Sequence, residues 1–326
     1  MHVYQHLDEL PGNLGPTVIS VGNFDGVHRA HQHVLAEIIR RARELHSTSM
    51  VVTFNPHPVR ILRPDAAPRL LTPLPVKLRL LAASGVDATL VLPFTRDLSL
   101  LSPRQFVQQI LCDGLDAREV HEGFNFRFGH KAAGTTDQLQ ELGRELGFEV
   151  KIYPAMKING DAVSSSRIRE LLQTGDVTRA HRLLGRAFSI VSSPGRGRGY
   201  GAKYTVPTIN LSRYDDLVPR DGVYITQTRV GEECFDSVTN VGNRPTFGAD
   251  SFAVETHLLN FHPIELTADT EVELWFLKRL RDEIKFPSID DLRAQIAKDV
   301  HRARRYFELL ARIRHARGVR HPVRVS

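Results

Sequence analysis

Apolar and polar positions follow one rhythm over the first half of the chain. Between residue 17 and about residue 186, short apolar runs such as TVISV, MVVTF and ATLVLPF alternate with segments whose apolar residues recur at helical spacing. In the segment after the first run, the helical face is made of Val34, Leu35, Ile38, Ile39, Ala42 and Leu45. Alternating strands and helices predict a parallel sheet with right-handed crossovers.

The rhythm changes after about Gly185. Short strand-like runs, among them AFSIVSS, GVYITQTRV and EVELWFL, are separated by turn residues. This pattern predicts an antiparallel barrel or sandwich, and a long segment from Ile289 to Arg312 predicts a terminal helix. We therefore expect an α/β domain over residues 1–186 and a β-barrel domain with a C-terminal helix and a basic tail over residues 187–326.

Composition is that of an ordinary globular protein. The 326 residues are 41% hydrophobic and 25% charged. Cys112 and Cys234 form no disulfide framework, and the start of the chain lacks the layout of a signal peptide. No apolar run reaches the roughly 18 residues that a membrane span needs. These features predict a cytoplasmic protein without a membrane partner, and they do not indicate an oligomeric state.

The net charge of +6 is located at one end of the chain. From Arg302 onward there are eight arginines and one glutamate, so this tail carries +7 and the rest of the chain about −1. The strands also lack the clustered aromatic residues on which nucleic-acid bases stack. We therefore expect no nucleic-acid partner, although a binding module whose tail contacts phosphates or a regulatory partner is the alternative of a different class.

The stretch GNFDGVHRAHQ (22–32) follows the first buried strand and opens a helix. Gly22 and Gly26 let the backbone approach a ligand closely, and the helix start offers unpaired amides and a positive dipole end. His28 and His31, one turn apart, can both donate hydrogen bonds to phosphate oxygens. The pattern favours a polyphosphate site. A zinc site, for which only two ligands are evident, and plain surface histidines are the alternatives.

Three further stretches carry polar or aromatic residues at the ends of predicted elements. They are TFNPHP (53–58), GFNFRFG (123–129) and SSSRIRE (164–170). Ser164, Ser165 and Arg169 are suited to hold phosphates through hydroxyls, helix amides and a guanidinium group. An ordinary serine N-cap is the alternative explanation of that stretch.

These stretches, in this order, resemble the prokaryotic bifunctional riboflavin kinase/FMN adenylyltransferase family, whose first domain has a Rossmann-like nucleotidylyltransferase fold. Ala30 stands where the family has a glycine between the two histidines. The resemblance implies that the FMN phosphate attacks the α-phosphorus of ATP and releases pyrophosphate, with no covalent intermediate. His28 and His31 would be catalytic, and Mg²⁺ would offset the phosphate charge.

The resemblance also implies the contacts of the two substrates. The nucleotide and its phosphates would be bound by Gly22, Asn23, Phe24, Asp25, Gly26, Ser164, Ser165 and Arg169. The flavin would contact Phe54, His57, Pro58, Asn125 and Phe128.

The barrel half carries a second group of candidate residues. In TVPTIN (205–210), Thr208 and Asn210 alternate onto one face of a strand, where their oxygens can complete a Mg²⁺ shell with nucleotide phosphates. Glu255 in VETHLL (254–259) can take a proton from an attacking hydroxyl. Ordinary strand-surface residues are the alternative.

This half resembles the family's riboflavin kinase module, which transfers the γ-phosphoryl group of ATP to the ribityl 5′-hydroxyl of riboflavin. Glu255 would be the base, and Thr208 and Asn210 the metal ligands. Thr205 replaces a family glycine. We therefore predict an enzyme that makes FMN and then FAD; the alternative is an FMN adenylyltransferase whose kinase activity is weakened or lost.

Overall fold

The computed structural model describes residues 1–12, 14–195, 208–243, 252–262, 266–267 and 269–316. The chain divides into two compact units, Met1–Arg167 and Ile168–Ser326. This division falls within a helix, and the domain boundary expected between residues 186 and 187 stays a prediction. Among the described residues, no helix is both long and apolar enough to cross a membrane.

The first unit contains eight strands: β1 (His2–Tyr4), β2 (Thr17–Val21), β3 (Thr48–Asn55), β4 (Ala88–Pro93), β5 (Ala117–Gly123), β6 (Glu149–Tyr153), β7 (Lys157–Ile158) and β8 (Asp161–Ala162). Its helices are α1 (Arg29–Glu44), α2 (Pro58–Leu62), α3 (Leu74–Ser84), α4 (Arg96–Leu100), α5 (Pro103–Phe106), α6 (Thr136–Leu146) and the start of α7 (Ser165–Gln173). A π-helical segment, Val107–Gly114, continues α5. Short 3-10 turns span Leu7–Glu9, Pro64–Ala66 and His130–Ala132.

Six of these strands form the predicted parallel sheet, in the order β1-β4-β3-β2-β5-β6. All five residues of β2 are buried, which is typical of a central strand covered on both faces. Helix α1 buries Val34, Leu35, Ile38 and Ala42, as its periodicity predicts. The expected fold class of this half is confirmed.

The chain leaves β2 and β5 in opposite directions. β2 continues through α1 to β3 on one side, whereas β5 continues through α6 to β6 on the other. Two neighbouring parallel strands whose connections diverge leave a crevice beyond their carboxyl ends, where open α/β sheets bind ligands. The loops Gly22–Val27 and Gly123–Gly129 border this crevice, which we call the switch crevice.

The second unit begins with the rest of α7 and with α8 (Val177–Leu184). Its strands are β9 (Phe188–Ser192), β10 (Thr208–Asn210), β11 (Gly222–Val230), β12 (Glu233–Asn243), β13 (Phe252–Leu258) and β14 (Val272–Arg281), and α9 (Ile289–Ala316) follows. The strands form an antiparallel sheet that curls into a half-barrel, in the order β10-β13-β12-β11-β14-β9. This confirms the fold class of the second half.

The two faces of the curled sheet are covered differently. Helix α9 packs Ala303 against Val223, Ile225 and Val238 on one face. The opposite face carries five completely buried hydroxyl residues, the hydroxyl ring, which consists of Thr226, Thr228, Ser237, Thr239 and Thr256. Five hydroxyl–hydroxyl contacts of 2.7–3.1 Å close these side chains into a cycle. Each hydroxyl therefore has two ring partners, one to which it can donate and one from which it can accept.

The predicted and observed elements differ mainly in short segments. Strands β1, β7 and β8 have only two or three residues, too few to show an alternation, and α2 and α4 have five each. The predicted helix at Ser102 is confirmed together with its cap, because the Ser102 hydroxyl accepts from the Gln105 amide at 3.2 Å. The terminal helix extends four residues beyond the predicted end, to Ala316.

Candidate functional site

The loop Gly22–Val27 is fixed to the neighbouring strand β3 at its beginning. The Gly22 amide donates to the Val52 carbonyl at 2.9 Å, and the Thr53 hydroxyl donates to the Asn23 carbonyl at 3.3 Å. Gly26 has φ +86°, a left-handed conformation that favours glycine. Phe24 and Val27 are also left-handed, with φ +46° and +37°, and both are buried. The loop thus keeps an unusual shape because its apolar side chains are packed.

Asp25 holds the loop from inside. Its buried carboxylate accepts from the Leu71 and Thr72 amides at 3.0 and 2.9 Å, and from the Thr72 hydroxyl at 3.2 Å. The Gly26 amide in turn donates to that hydroxyl at 2.8 Å. This carboxylate therefore connects the loop to residues 71 and 72. The hydrogen bonds from the two amides partly compensate its negative charge, which lies next to a predicted phosphate site.

The two histidines lie together at the start of α1. His28 is the N-cap, and its Nδ1 accepts from the His31 amide at 3.4 Å. The imidazoles are stacked with centroids 3.7 Å apart, and the His31 ring also contacts Phe24 at 4.9 Å. His28 is only 5% exposed. Two imidazoles at the positive end of a helix dipole suit an anion. In the described part of the chain, no three or more His, Cys, Asp or Glu residues are grouped to hold a metal.

The start of α7 reaches the same loop. The Ser165 hydroxyl donates to the Asp25 carbonyl at 2.8 Å, so the structure brings the serine stretch and the glycine loop together. The Ser164 hydroxyl accepts from the Arg167 amide at 3.2 Å, which is an N-cap contact. Arg169 lies beyond the division between the two units. Ser165, one of the predicted phosphate ligands in this stretch, is thus joined to the loop by a hydrogen bond of its own.

Lys77 is a buried cation near this loop that the sequence analysis missed. It lies on α3 with 6% exposure, and its Nζ donates to the Thr53 hydroxyl at 3.2 Å. Burial lowers the pKa of Lys77 to about 8, while the nearby Asp25 carboxylate acts to raise it. A signal was present, because Lys77 stands four residues before the buried Leu81 on the apolar face of its helix.

The predicted flavin residues differ in exposure. Phe54 is half-buried and meets Phe94 edge-on at 5.6 Å. His57 caps α2, with its Nδ1 accepting from the Val59 amide at 3.3 Å, and Pro58 is the first residue of that helix. Phe54 is the second-last residue of β3, and His57 and Pro58 follow the strand, so the sheet places all three at its carboxyl edge.

The loop after β5 presents a different phenylalanine from the one predicted. Asn125 is exposed, as a ligand contact requires. Phe128 is only 6% exposed and packs with Phe106 and Phe126 in the large apolar cluster of this unit. Phe124 is 53% exposed. The aromatic surface of this loop is therefore provided by Phe124, and the flavin role of Phe128 stays a prediction that its burial does not favour.

A second polar cluster lies on the face of the sheet that packs against α1. His121 contacts the Tyr153 hydroxyl at 2.8 Å and the Glu119 carboxylate at 2.9 Å, and Arg41 pairs with the same carboxylate. The Arg41 contact is the main cause that lowers the pKa of Glu119 to about 2, and burial lowers the pKa of His121. The cluster borders a cavity of about 320 Å³ between α1 and β6. It ties β5, β6 and α1 together below the switch crevice.

The candidate kinase residues lie on adjacent strands of the second unit. Asn210 on β10 is the register partner of Glu255 on β13, and Thr208 is the partner of His257. Directly paired residues point to the same face, so Thr208, Asn210 and Glu255 share one face, while Ile209 is buried on the other. Burial lowers the pKa of His257, which the sequence analysis did not single out. Thr205 lies outside the described residues.

Comparisons with known proteins match both halves of the chain. The family described as FAD synthetase matches residues 11–167, and the family described as riboflavin kinase matches residues 184–307. A bifunctional riboflavin kinase/FMN adenylyltransferase from Pseudomonas fluorescens is 37% identical over 288 residues, which are 88% of this chain and 92% of that protein. The chain belongs to the bifunctional riboflavin kinase/FMN adenylyltransferase family. The resemblance inferred from the motifs is confirmed.

Other members of the riboflavin kinase/FMN adenylyltransferase family are similarly related. Those from Escherichia coli K12 and Bacillus subtilis are each 34% identical over 90% of this chain and 93% of their own length. Among solved structures, one described as a macrolide-efflux protein from Streptococcus pneumoniae has a TM-score of 0.81 at 26% identity and covers 93% of this chain and 98% of its own. The fold is therefore shared along nearly the whole chain.

Proposed function

We propose that the adenylyl transfer of the family takes place in the switch crevice and that the phosphoryl transfer takes place at the strands β10 and β13. The chain is an enzyme with both activities: it phosphorylates riboflavin to FMN with ATP, and it adenylylates FMN to FAD with release of pyrophosphate. The observation on which this assignment of sites mainly rests is the Ser165–Asp25 hydrogen bond, which joins two predicted phosphate-binding stretches at the carboxyl edge of a parallel sheet.

In the proposed adenylyl transfer, an oxygen of the FMN phosphate attacks the α-phosphorus of ATP as the bond to pyrophosphate breaks. The triphosphate lies against the loop Gly22–Gly26 and the start of α7, where the Ser164 hydroxyl, which accepts from the Arg167 amide, can donate to a phosphate oxygen. The stacked His28 and His31 stabilise the negative charge that develops on the phosphate oxygens. The flavin lies against the end of β3 with the start of α2, which provide Phe54, His57 and Pro58, and against the loop after β5, which provides Asn125.

In the proposed phosphoryl transfer, the ribityl 5′-hydroxyl of riboflavin attacks the γ-phosphorus of ATP and ADP leaves. Glu255 takes the proton of the attacking hydroxyl. Most of the rate enhancement comes from positioning and charge stabilisation, since this reaction needs no covalent intermediate. The pairing of Asn210 with Glu255 puts the base next to a residue assigned to the nucleotide.

A Mg²⁺ ion fits the donor set of the kinase strands. Thr208 and Asn210 offer neutral oxygen ligands, which suit a hard cation that takes its remaining ligands from phosphates and water. Because the described residues contain no grouped set of acidic or histidine ligands, the ion would enter together with the nucleotide. Bound there, Mg²⁺ offsets phosphate charge during transfer. The cytoplasmic location and the absence of a nucleic-acid partner stay predictions.

Two single substitutions test the assignment of the sites. His28→Ala should abolish FAD formation from FMN and ATP and spare FMN formation from riboflavin and ATP. Glu255→Gln should do the reverse. Chromatographic separation of riboflavin, FMN and FAD measures both reactions in one sample. Equal loss of both activities in either folded variant would contradict two separate sites.

The same assay separates the main interpretation from its alternative. With riboflavin and ATP alone, the unmodified chain should accumulate FMN and then FAD. If it forms FAD from supplied FMN but makes no FMN, the alternative of a lost kinase activity is correct, and the assignment of Thr208, Asn210 and Glu255 fails.

A further inference from the structure

Glu122 is a buried carboxyl group that neither proposed reaction uses. It lies on β5 with 3% exposure. Its Oε1 accepts a hydrogen bond of 2.6 Å from the Val21 amide, the last residue of β2. A side chain is thus bonded to the main chain of the adjacent strand, immediately before the loop that begins at Gly22.

The hydrogen bond between Glu122 and Val21 lies just beyond the end of the β2–β5 pairing. The backbone pairing between β2 and β5 ends at Ile19 and Val120, two residues before the end of β2. Beyond that point the strands part and the switch crevice opens. Beyond the last backbone pair of β2 and β5, the Glu122 carboxyl accepts the hydrogen bond of the Val21 amide. Without it, the separating strands would bury this amide with no hydrogen-bond acceptor. Glu122 therefore lies at the floor of the crevice, between the loops after β2 and after β5.

The charge of this group matters for a phosphate site. Burial raises the pKa of Glu122 well above its usual range, opposed by the hydrogen bond from the Val21 amide. Glu122 shares a face of β5 with Val120, which packs in the large apolar cluster of the first unit. Burial thus favours the neutral acid, a form that can accept the amide hydrogen bond without repelling a polyphosphate above it.

We infer that Glu122 is a positioning residue for adenylyl transfer: it holds the Val21 amide, and with it the start of the loop Gly22–Val27, in the place where the ATP phosphates bind. The inference rests on the function proposed above for the switch crevice. A shift of about 1 Å in a substrate-binding group is enough to lower a rate about a hundredfold, so a lost anchor at this point affects catalysis.

Three substitutions in the full chain test this role. Glu122→Gln keeps a neutral acceptor of the same length, Glu122→Asp shortens the reach to Val21, and Glu122→Val removes the acceptor. The KM for ATP, the KM for FMN and kcat are measured for FAD formation. Riboflavin kinase activity in the same sample is the control for the second unit, and circular dichroism checks that the chain is folded. His28→Ala is assayed in parallel as the test of the site itself.

We expect Glu122→Val and Glu122→Asp to lower kcat/KM for ATP in FAD formation by at least about tenfold, with kinase activity within about twofold of the unmodified chain. Glu122→Gln should keep kcat/KM for ATP in FAD formation within about threefold of the value for the unmodified chain. The inference is overturned if Glu122→Val forms FAD normally, or if Glu122→Gln is as impaired as Glu122→Val. Should Glu122→Val fail to fold, Glu122→Asp against Glu122→Gln decides. If His28→Ala is also normal, the proposed site has failed rather than Glu122 alone.

Discussion

Removing one hydroxyl from the hydroxyl ring should destabilise the second unit by more than a single hydrogen bond. Thr239→Val replaces a side chain by one of nearly the same shape, so it opens no cavity. The Thr239 hydroxyl contacts Thr226 at 2.7 Å and Thr256 at 2.9 Å. Its loss converts a closed cycle of five hydrogen bonds into a chain of four hydroxyls with three, which leaves a buried donor at one end and a buried acceptor at the other.

The expected magnitude follows from counting bonds. At a net contribution of about 0.5–1.5 kcal/mol for each hydrogen bond, the two lost bonds reduce the free energy of unfolding by about 1–3 kcal/mol. Thr256→Val alone has the same expected effect. The double variant of these neighbours loses three bonds rather than four, because they share one. Its effect should therefore be about 1 kcal/mol smaller than the sum of the single effects.

A double variant of two hydroxyl residues that are not ring neighbours serves as the comparison for the double variant of neighbours. Thr228 is not a ring neighbour of Thr239, so the double variant Thr228→Val/Thr239→Val loses four bonds and isolates the Thr256 hydroxyl. Its effect should equal or exceed the sum of its single effects. Thr267→Val is the control, because it removes a hydroxyl contact of 3.1 Å between Thr267 and Thr270 that is exposed to solvent.

Urea unfolding followed by tryptophan fluorescence measures these changes. Trp275 is the only tryptophan of the sequence, and it is 8% exposed on β14, so its signal reports on this unit. The control should change the free energy of unfolding by less than about 0.5 kcal/mol. If Thr239→Val behaves like the control, or if both double variants deviate equally from additivity, the closed ring does not describe these side chains.

Three further predictions concern the first unit. Glu119→Gln should lower the free energy of unfolding by about 2 kcal/mol at neutral pH and make its decline in acid less steep. The reason is that the Glu119 pKa of about 2 contributes stability above about pH 4.5, and this stability is lost as the pH falls toward 2. Circular dichroism during urea unfolding at several pH values measures both effects. His121→Gln should lessen the loss of stability below about pH 6.5, since a pKa lowered by burial makes protonation favour unfolding. Gly26→Ala should lower FAD formation while sparing the kinase, whereas Gly147→Ala, with a similar φ of +88° at the end of α6, should add about the same strain of 1–2 kcal/mol without this selective loss.

The first candidate site could be proposed from the sequence because its chemistry is local. A glycine loop after a buried strand, followed by histidines at a helix start, indicates an anion site whatever the order of the strands in the sheet. The contact of Ser165 with Asp25 joins residues 140 positions apart, so only the fold reveals it. Glu122 was missed for the same reason: its role depends on which strand lies beside β5 and on where the pairing of the two strands stops.

In the second unit, the alternation of residues identifies strands but not what covers each face. Val223 and Ile225 alternate with Tyr224 and Thr226 along β11, and an alternation of this kind by itself would put the threonine on the solvent side. Both faces are in fact covered, one by α9 and the other by the curvature of the sheet itself. Sheet curvature is a collective property of six strands, and no single segment encodes it.

The left-handed conformations of Phe24 and Val27 have a consequence for the kinetics of the ATP binding that we propose for this loop. Their unfavourable backbone energy is compensated when the first unit folds, since packing of the two side chains keeps the loop in shape before any ligand arrives. A nucleotide that meets a preorganised loop loses little free energy to ordering it. The association rate of ATP should then fall in inverse proportion to solvent viscosity, as diffusional encounter does, and the observed binding rate should rise with ATP concentration without a plateau set by a slow rearrangement of the loop.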